Sequence, residues 1–175
     1  LEALADFDDD IMMQYLDDPT AITDEQIKAA IRKGTLTMKI VPVLCGSSYK
    51  NKGVQTLLDA VVAFLPSPLD IPSIEGINPK TDDKDVRHPG DSEPFSGLVF
   101  KIVADPFGKL AFLRIYSGAI ELGQTVQNST KGKPERISRL IRMKANDREE
   151  LTEAGAGDIV AVIGLKDSTT GDTLC

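Results

Sequence analysis

Residues 41–68 read VPVLCGSSYKNKGVQTLLDAVVAFLPSP, and the organisation of the first part of the chain follows from them. The apolar run Met38 to Leu44 (MKIVPVL) has the character of a strand buried on both faces. Pro42 within it lacks an N–H and so favours an edge or a strand end. Gly46 to Gly53 is a polar loop. Val54, Leu57, Leu58, Val61 and Leu65 then recur at helical spacing until Pro66 stops the helix. A buried strand that delivers a polar loop to a helix is where open α/β sheets bind ligands. An ordinary βα connection has the same form.

Upstream, Leu1, Leu4, Ile11, Met12, Tyr15 and Leu16 fall at roughly helical spacing with acids between them, up to Pro19. Thr23-Asp24-Glu25-Gln26 has the form of a capping box, and the helix it opens is predicted to stop at Gly34. Residues 1–65 therefore read as an α/β segment of helices plus one strand. Six of the ten prolines fall between Pro66 and Pro94, so 66–93 reads as a linker, partly extended. Beyond it the pattern turns to β. Phe95–Val103, Leu110–Tyr116, Thr125–Asn128, Arg136–Met143 and Ile159–Ile163 are short strand candidates. Turns at 105–108, Ser117-Gly118, Lys131-Gly132-Lys133 and 155–158 separate them. This spacing predicts a small closed barrel over 94–175.

Apolar residues make up 41% of the chain and charged residues 27%, an ordinary globular mix. No run reaches the roughly 18 apolar residues of a membrane helix, and the start is not that of a signal peptide. Two cysteines, Cys45 and Cys175, make no disulfide framework, which points to a reduced, cytoplasmic setting. Leu1 opens in mid-pattern and Cys175 closes what reads as a strand, so both ends are expected to be cuts within a longer chain. The net charge of −7 argues against a nucleic-acid partner for the chain as a whole. Its distribution is polar, however. Residues 1–27 carry nine acids and no base, whereas 101–148 carry ten Lys or Arg against four acids. Lys131, Lys133, Arg136, Arg139, Arg142, Lys144 and Arg148 crowd one hairpin and the strand after it. Such a patch would meet phosphates through charge, and it would equally serve as a plain solubilising surface.

Catalytic chemistry is missing from the residues. No glycine-rich loop ends in Gly-Lys-Ser/Thr to cradle phosphates and magnesium. The single histidine, His88, sits in the proline-rich stretch and reads as solvated. Zinc sites and hydrolytic triads fail on the same shortage of His and Cys. Asp6, Asp8 and Asp10 alternate like the start of a calcium loop, but its sixth and twelfth places hold Ile11 and Asp17 rather than Gly and Glu. No catalytic or metal residue is assigned.

The run from Val41 to Pro68 resembles the end of the GTP-binding domain of elongation factor G. The resemblance continues in Phe107 to Gly118 (FGKLAFLRIYSG), Glu121-Leu122-Gly123, Asn128 to Arg136 (NSTKGKPER), Ala156 to Ile159 and Gly164 to Cys175 (GLKDSTTGDTLC), which look like the family's second domain. It implies the remnant of a GTPase domain with its acidic insertion over 1–65, a linker over 66–93, and a translation-factor-type β-barrel over 94–175. The family's barrel continues past Cys175, which leaves the closing strand outside this sequence. The loop at Phe107-Gly108 is a residue shorter than in many relatives. In the family the loop matching Gly46, Ser47 and Ser48 (usually Gly-Ser-Ala) meets the guanine base with its backbone amides.

The implied parent binds GTP and Mg2+, docks on the ribosome and drives translocation. Its phosphate- and magnesium-binding motifs would lie upstream of Leu1, so the fragment itself is expected to be no enzyme and to need no cofactor. The resemblance makes it a ribosome-docking and interdomain-coupling piece whose barrel faces small-subunit rRNA, and the local charge makes Lys131, Lys133, Arg136, Arg139 and Arg142 the expected contacts. Its other partners are the missing GTPase portion and the downstream domains of the same chain, with no membrane and a monomeric state. A release-factor-type or ribosome-protecting GTPase, or a free-standing RNA- or protein-binding barrel, are the alternatives.

Overall fold

The structure, a computed structural model, describes residues 1–79, 81–105, 108–145 and 147–175, and of Asp105 the backbone only. The turn expected at 105–108 and the shortened loop at Phe107-Gly108 rest on residues outside that description. The chain divides into two compact units, Leu1–Asp70 and Ile71–Cys175.

The first unit is built from helices α1 (Glu2–Ala5), α2 (Asp9–Asp17), α3 (Asp24–Leu36) and α4 (Val54–Phe64), with a single 3-10 turn at Pro19–Ala21. Asp8 caps α2 by accepting from the Ile11 amide at 3.2 Å, and its other oxygen takes Lys33 Nζ at 2.9 Å. The capping box at α3 is complete: Thr23 Oγ1 accepts from the Gln26 amide, and Gln26 Oε1 from the Thr23 amide. Such a cap is worth about 1 kcal/mol. Helix α3 runs past Gly34 to Leu36, contrary to expectation. A Cβ at Gly34 would lie 2.5 Å from Phe7 Cζ, so this glycine serves the packing of Phe7 against the helix, not its end. Leu4, Ile11 and Ala30 form a small core with Phe7, Ile22, Ile27, Ile31 and Ile40 against it. Arg32 ties α3 to the end of α4, donating to the carbonyls of Ala63 and Leu65 and pairing with Asp70 at 2.6 Å.

The strand predicted over Met38–Leu44 does not form. Residues 40–46 carry no ladder, and Val41 and Val43 stand 81% and 91% exposed. A strand needs a neighbour to take its N–H and C=O groups. Among the described residues the only bridge in this unit is the local Ser47–Lys52 pair.

The second unit begins where a linker was expected. Strands β1 (Ile74–Ile77) and β2 (Lys84–Arg87) pair antiparallel, with Ile74 opposite Arg87 and Glu75 opposite Val86. The segment after them is tied down. Gly90 O accepts from Gly118 N at 2.8 Å, Asp91 Oδ1 from Ala156 N at 2.8 Å, and Pro94 O from Ser117 Oγ at 2.7 Å. Few large apolar residues made this stretch read as a partly extended linker, and backbone pairing and side-chain hydrogen bonds hold it.

The barrel strands are β3 (Ser96–Asp105), β4 (Gly108–Ser117), β6 (Thr125–Asn128), β7 (Lys133–Arg136), β8 (Arg139–Lys144), β9 (Asp147–Leu151), β11 (Ile159–Ile163) and β12 (Thr173–Leu174). A minor pair, β5 (Ile120–Glu121) with β10 (Glu153–Ala154), lies beside them. The strand order is β7-β6-β12-β3-β4-β11-β8-β9. The order closes on itself because β7 runs through Ile137 and Ser138 into β8. Ile137 N donates to Gln124 O and Ser138 N to Ile163 O, so this one bent segment ties the β7 end of the row to β11 and β8, with β9 left as the outer edge. The short β12 stands between β3 and β6 and pairs with both. Alternation along β4 sends Ala111, Leu113 and Ile115 inward, where Val99, Val126, Ile137, Leu140, Val160, Val162 and Leu174 complete a core with every member 3% exposed or less.

Candidate nucleotide loop and nucleic-acid interface

The loop from Cys45 to Gly53 is a tight hairpin turn. Ser47 and Lys52 exchange both backbone hydrogen bonds at 2.9 Å, and Asn51 N donates to Ser48 O at 3.1 Å. Two glycines make this possible. A Cβ on Gly46 would lie 2.8 Å from Lys52 O, and Gly53 sits at φ +76 with Cys45 O only 3.1 Å from where its Cβ would be. Gly53 is also the N-cap of α4 and supplies no side-chain acceptor. Leu44, Gly46, Ser48, Lys52, Gly53 and Leu57 are among the residues lining a shallow cavity of about 230 Å³ beside the loop. The Ser47 amide is taken by Lys52, while those of Gly46 and Ser48 donate to no protein acceptor among the described residues. The three residues singled out from sequence thus come together, with two backbone donors available and one engaged. Among the described residues no phosphate-cradling loop adjoins them.

The basic residues of the barrel tell a different story from their sequence count. Lys131 Nζ donates to Asp167 O at 2.6 Å and Thr169 Oγ1 at 2.8 Å and pairs with Asp172 at 3.1 Å. Lys133 pairs with Asp167 at 3.0 Å. Arg139 pairs with Glu150, Lys144 with Glu149 at 2.8 Å, and Arg142 approaches Asp158 at 3.6 Å and Glu149 at 3.9 Å. Of the five contact residues expected, only Arg136, exposed on β7, lacks a carboxylate partner among the described residues.

What organises the hairpin is buried beneath it. Glu135, 3% exposed, accepts from the amides of Lys166, Asp167 and Ser168 and from Ser168 Oγ, all between 2.7 and 2.9 Å. Asn128, fully buried, donates through Nδ2 to Ser168 Oγ and Asp172 Oδ2 and accepts the Lys131 amide on Oδ1. Burial pushes the Asp172 carboxyl up. Hydrogen bonds from Asn128, the Thr169 amide and Lys131 outweigh that and hold its pKa down to about 2. No buried side-chain polar atom is left without a partner among the described residues. The network fixes the 166–172 loop against the hairpin. Sequence reading missed it because Glu135 and its donors lie some thirty residues apart.

A helical unit with a tight turn before its last helix, followed by an antiparallel β-barrel, fits a module of the translational GTPases. Residues 94–175 match the family described as elongation factor G domain 2. Across 99% of its length the chain superposes on a crystal structure from Thermus thermophilus, with a TM-score of 0.71 and 25% sequence identity. It spans 23% of that chain.

Proposed function

We propose that this chain is the docking and coupling part of a ribosomal translocase of the elongation factor G type, acting in the cytoplasm on small-subunit rRNA and hydrolysing no GTP of its own. The observation that carries the reading is the family match over the whole closed barrel, 94–175. GTP and Mg2+ belong to the parent's remaining GTPase portion. Among the described residues, the Gly46 and Ser48 amides fit a ligand of that kind, at the edge of a base. The first unit fits a coupling role. Val41, Val43, Leu57, Leu58, Val61 and Val62 are all exposed, the latter four on a helix with no buried residue. The missing strands of the same domain are the partner that would cover them. Among the described residues no helix is long and apolar enough to cross a membrane.

Co-sedimentation of the chain with small ribosomal subunits over a salt series tests the reading. Binding is expected at about 50 mM salt and to fall steeply by 200 mM, and Arg136→Ala is expected to weaken it. Absence of co-sedimentation at 50 mM salt would refute the docking role.

A further inference from the structure

The barrel's outer face carries an aromatic and cationic surface distinct from the basic hairpin. Strand register places it. Lys101 on β3 faces Phe112 on β4, which faces Ala161 on β11, which faces Ile141 on β8. One step along, Leu98 faces Arg114, which faces Ile159. Directly opposed residues share a face, so these side chains all lie on the side away from the main barrel core, where Ala161 and Ile141 are buried in a second small cluster with Phe112 packed against it and Phe100, Lys101 and Arg114 lie at its border. The register between β3 and β4 slips between Val99 and Lys101, a bulge that leaves Phe100 without a partner on β4. Phe100 and Lys101, consecutive in sequence, are therefore both exposed, Phe100 at 41%. The Phe100 and Phe112 ring centroids lie 6.3 Å apart at 51°. Lys101 Nζ lies 5.9 Å from the Phe112 centroid, and the Arg114 guanidinium 5.8 Å from that of Tyr116.

The electrostatics separate this face from the rest of the barrel. Lys131, Lys133, Arg139, Arg142 and Lys144 are neutralised by carboxylates, whereas Lys101 and Arg114 have aromatic rings and no carboxylate partner among the described residues. A surface meant for the apolar centre of a protein interface is depleted of charge. An exposed ring flanked by cations free to meet phosphates suits unpaired nucleotides, whose bases stack while their backbone is held by charge.

We propose that the outer face of β3 and β4 binds single-stranded RNA, with Phe100 as the stacking ring, Phe112 supporting it from below, and Lys101 and Arg114 on the phosphates. This rests on the docking function proposed above and assigns it a surface. It adds a contact on unpaired bases to whatever charge contact Arg136 makes at the hairpin.

The test is fluorescence anisotropy of the 175-residue chain with a labelled twelve-nucleotide oligo(U) RNA and with a twelve-base-pair RNA duplex. Phe100→Leu keeps bulk and apolarity but removes the π-face; Phe100→Tyr keeps the ring. The expected result is roughly ten-fold weaker oligo(U) binding for Phe100→Leu, with duplex binding unchanged and Phe100→Tyr close to wild type. Lys101→Gln is expected to flatten the oligo(U) salt slope by about 0.7. Equal oligo(U) affinity for Phe100→Leu and wild type, as a protein-docking face would give, overturns the proposal. So does equal weakening of both RNAs. If Phe100→Leu is silent while Arg136→Ala weakens binding, this surface fails and the docking function stands. If wild type binds neither RNA nor small subunits, both fail.

Discussion

Glu135→Gln is the sharpest probe of how the barrel presents its hairpin. In the native protein Glu135 Oε1 accepts three hydrogen bonds, from Asp167 N, Ser168 N and Ser168 Oγ, and Oε2 accepts one from Lys166 N. Glutamine preserves volume and can keep its single oxygen on the first three donors. Its NH2 group then faces the Lys166 N–H, donor against donor. One charge-assisted bond worth about 1.5–3 kcal/mol is lost, and the other three become bonds to a neutral acceptor of roughly half the strength. Relief of the buried charge offsets part of this. The net destabilisation is about 2–3 kcal/mol, or roughly 10–20 °C in the melting temperature of a unit near 100 residues. Thermal unfolding followed by circular dichroism measures the total. Amide exchange at Asp167 and Ser168 locates it, and both amides are expected to lose protection before the strands do. A melting temperature within about 3 °C of wild type, with exchange at those amides unchanged, would mean that Lys131 alone holds the loop through Asp167 and Thr169, and the account of a carboxylate-centred network would be wrong.

Asp172 gives the network an acid limit. Its folded pKa is lowered to about 2, so the stability it contributes is fully present above the unfolded value near 3.9 and is lost as pH falls through 2. Urea midpoints are expected to drop across that window by an amount equivalent to about 2 kcal/mol, and Asp172→Asn to flatten the slope there; an equally steep slope in the variant would refute the assignment. Gly46→Ala would put a Cβ 2.8 Å from Lys52 O, so the turn must open. The Ser47 and Lys52 amides are then expected to lose exchange protection and shift in a ¹H–¹⁵N spectrum, and an unchanged spectrum would show that the loop accommodates a side chain.

Much of the architecture was legible in residue spacing. The capping box at Thr23, the apolar-rich stretch of β4 and the continuous apolar run of β11 each obey one local rule, and each element forms. The failures have physical causes. Strand β9 (DREEL) is an edge strand wet on both faces, so it has no apolar period to read; its charges suit an edge that must not recruit another chain. Strand β12 is two residues long and exists only because β3 and β6 flank it. The basic patch was misjudged because charge was counted along the sequence. Glu149 and Glu150, immediately beyond the counted window, fold back on Arg142, Lys144 and Arg139, and Asp167 and Asp172 return from more than thirty residues away to Lys131 and Lys133. The aromatic face stayed hidden for a related reason. Phe100 and Phe112 become neighbours only through strand pairing and a bulge.

The two units differ in how far they satisfy themselves. The barrel buries its core, closes its ladder and, among the described residues, leaves no buried side-chain polar atom unpartnered. The helical unit buries three apolar residues completely enough to form a core, while α4, apolar on most of its surface, buries none. A helix hydrophobic nearly all round is stable when other elements cover it. Residues 41–44, apolar and without a ladder, make the same demand from the adjoining segment. Both demands are met at once by a sheet laid along 40–44 with α4 packed on its face, the arrangement that the strand–loop–helix pattern of 41–68 encodes. The turn between them, closed by Ser47 and Lys52 and fitted by two glycines, is already formed without that sheet. The turn is therefore shaped locally, whereas the exposed apolar surface of α4 and 41–44 asks for elements that pack on it.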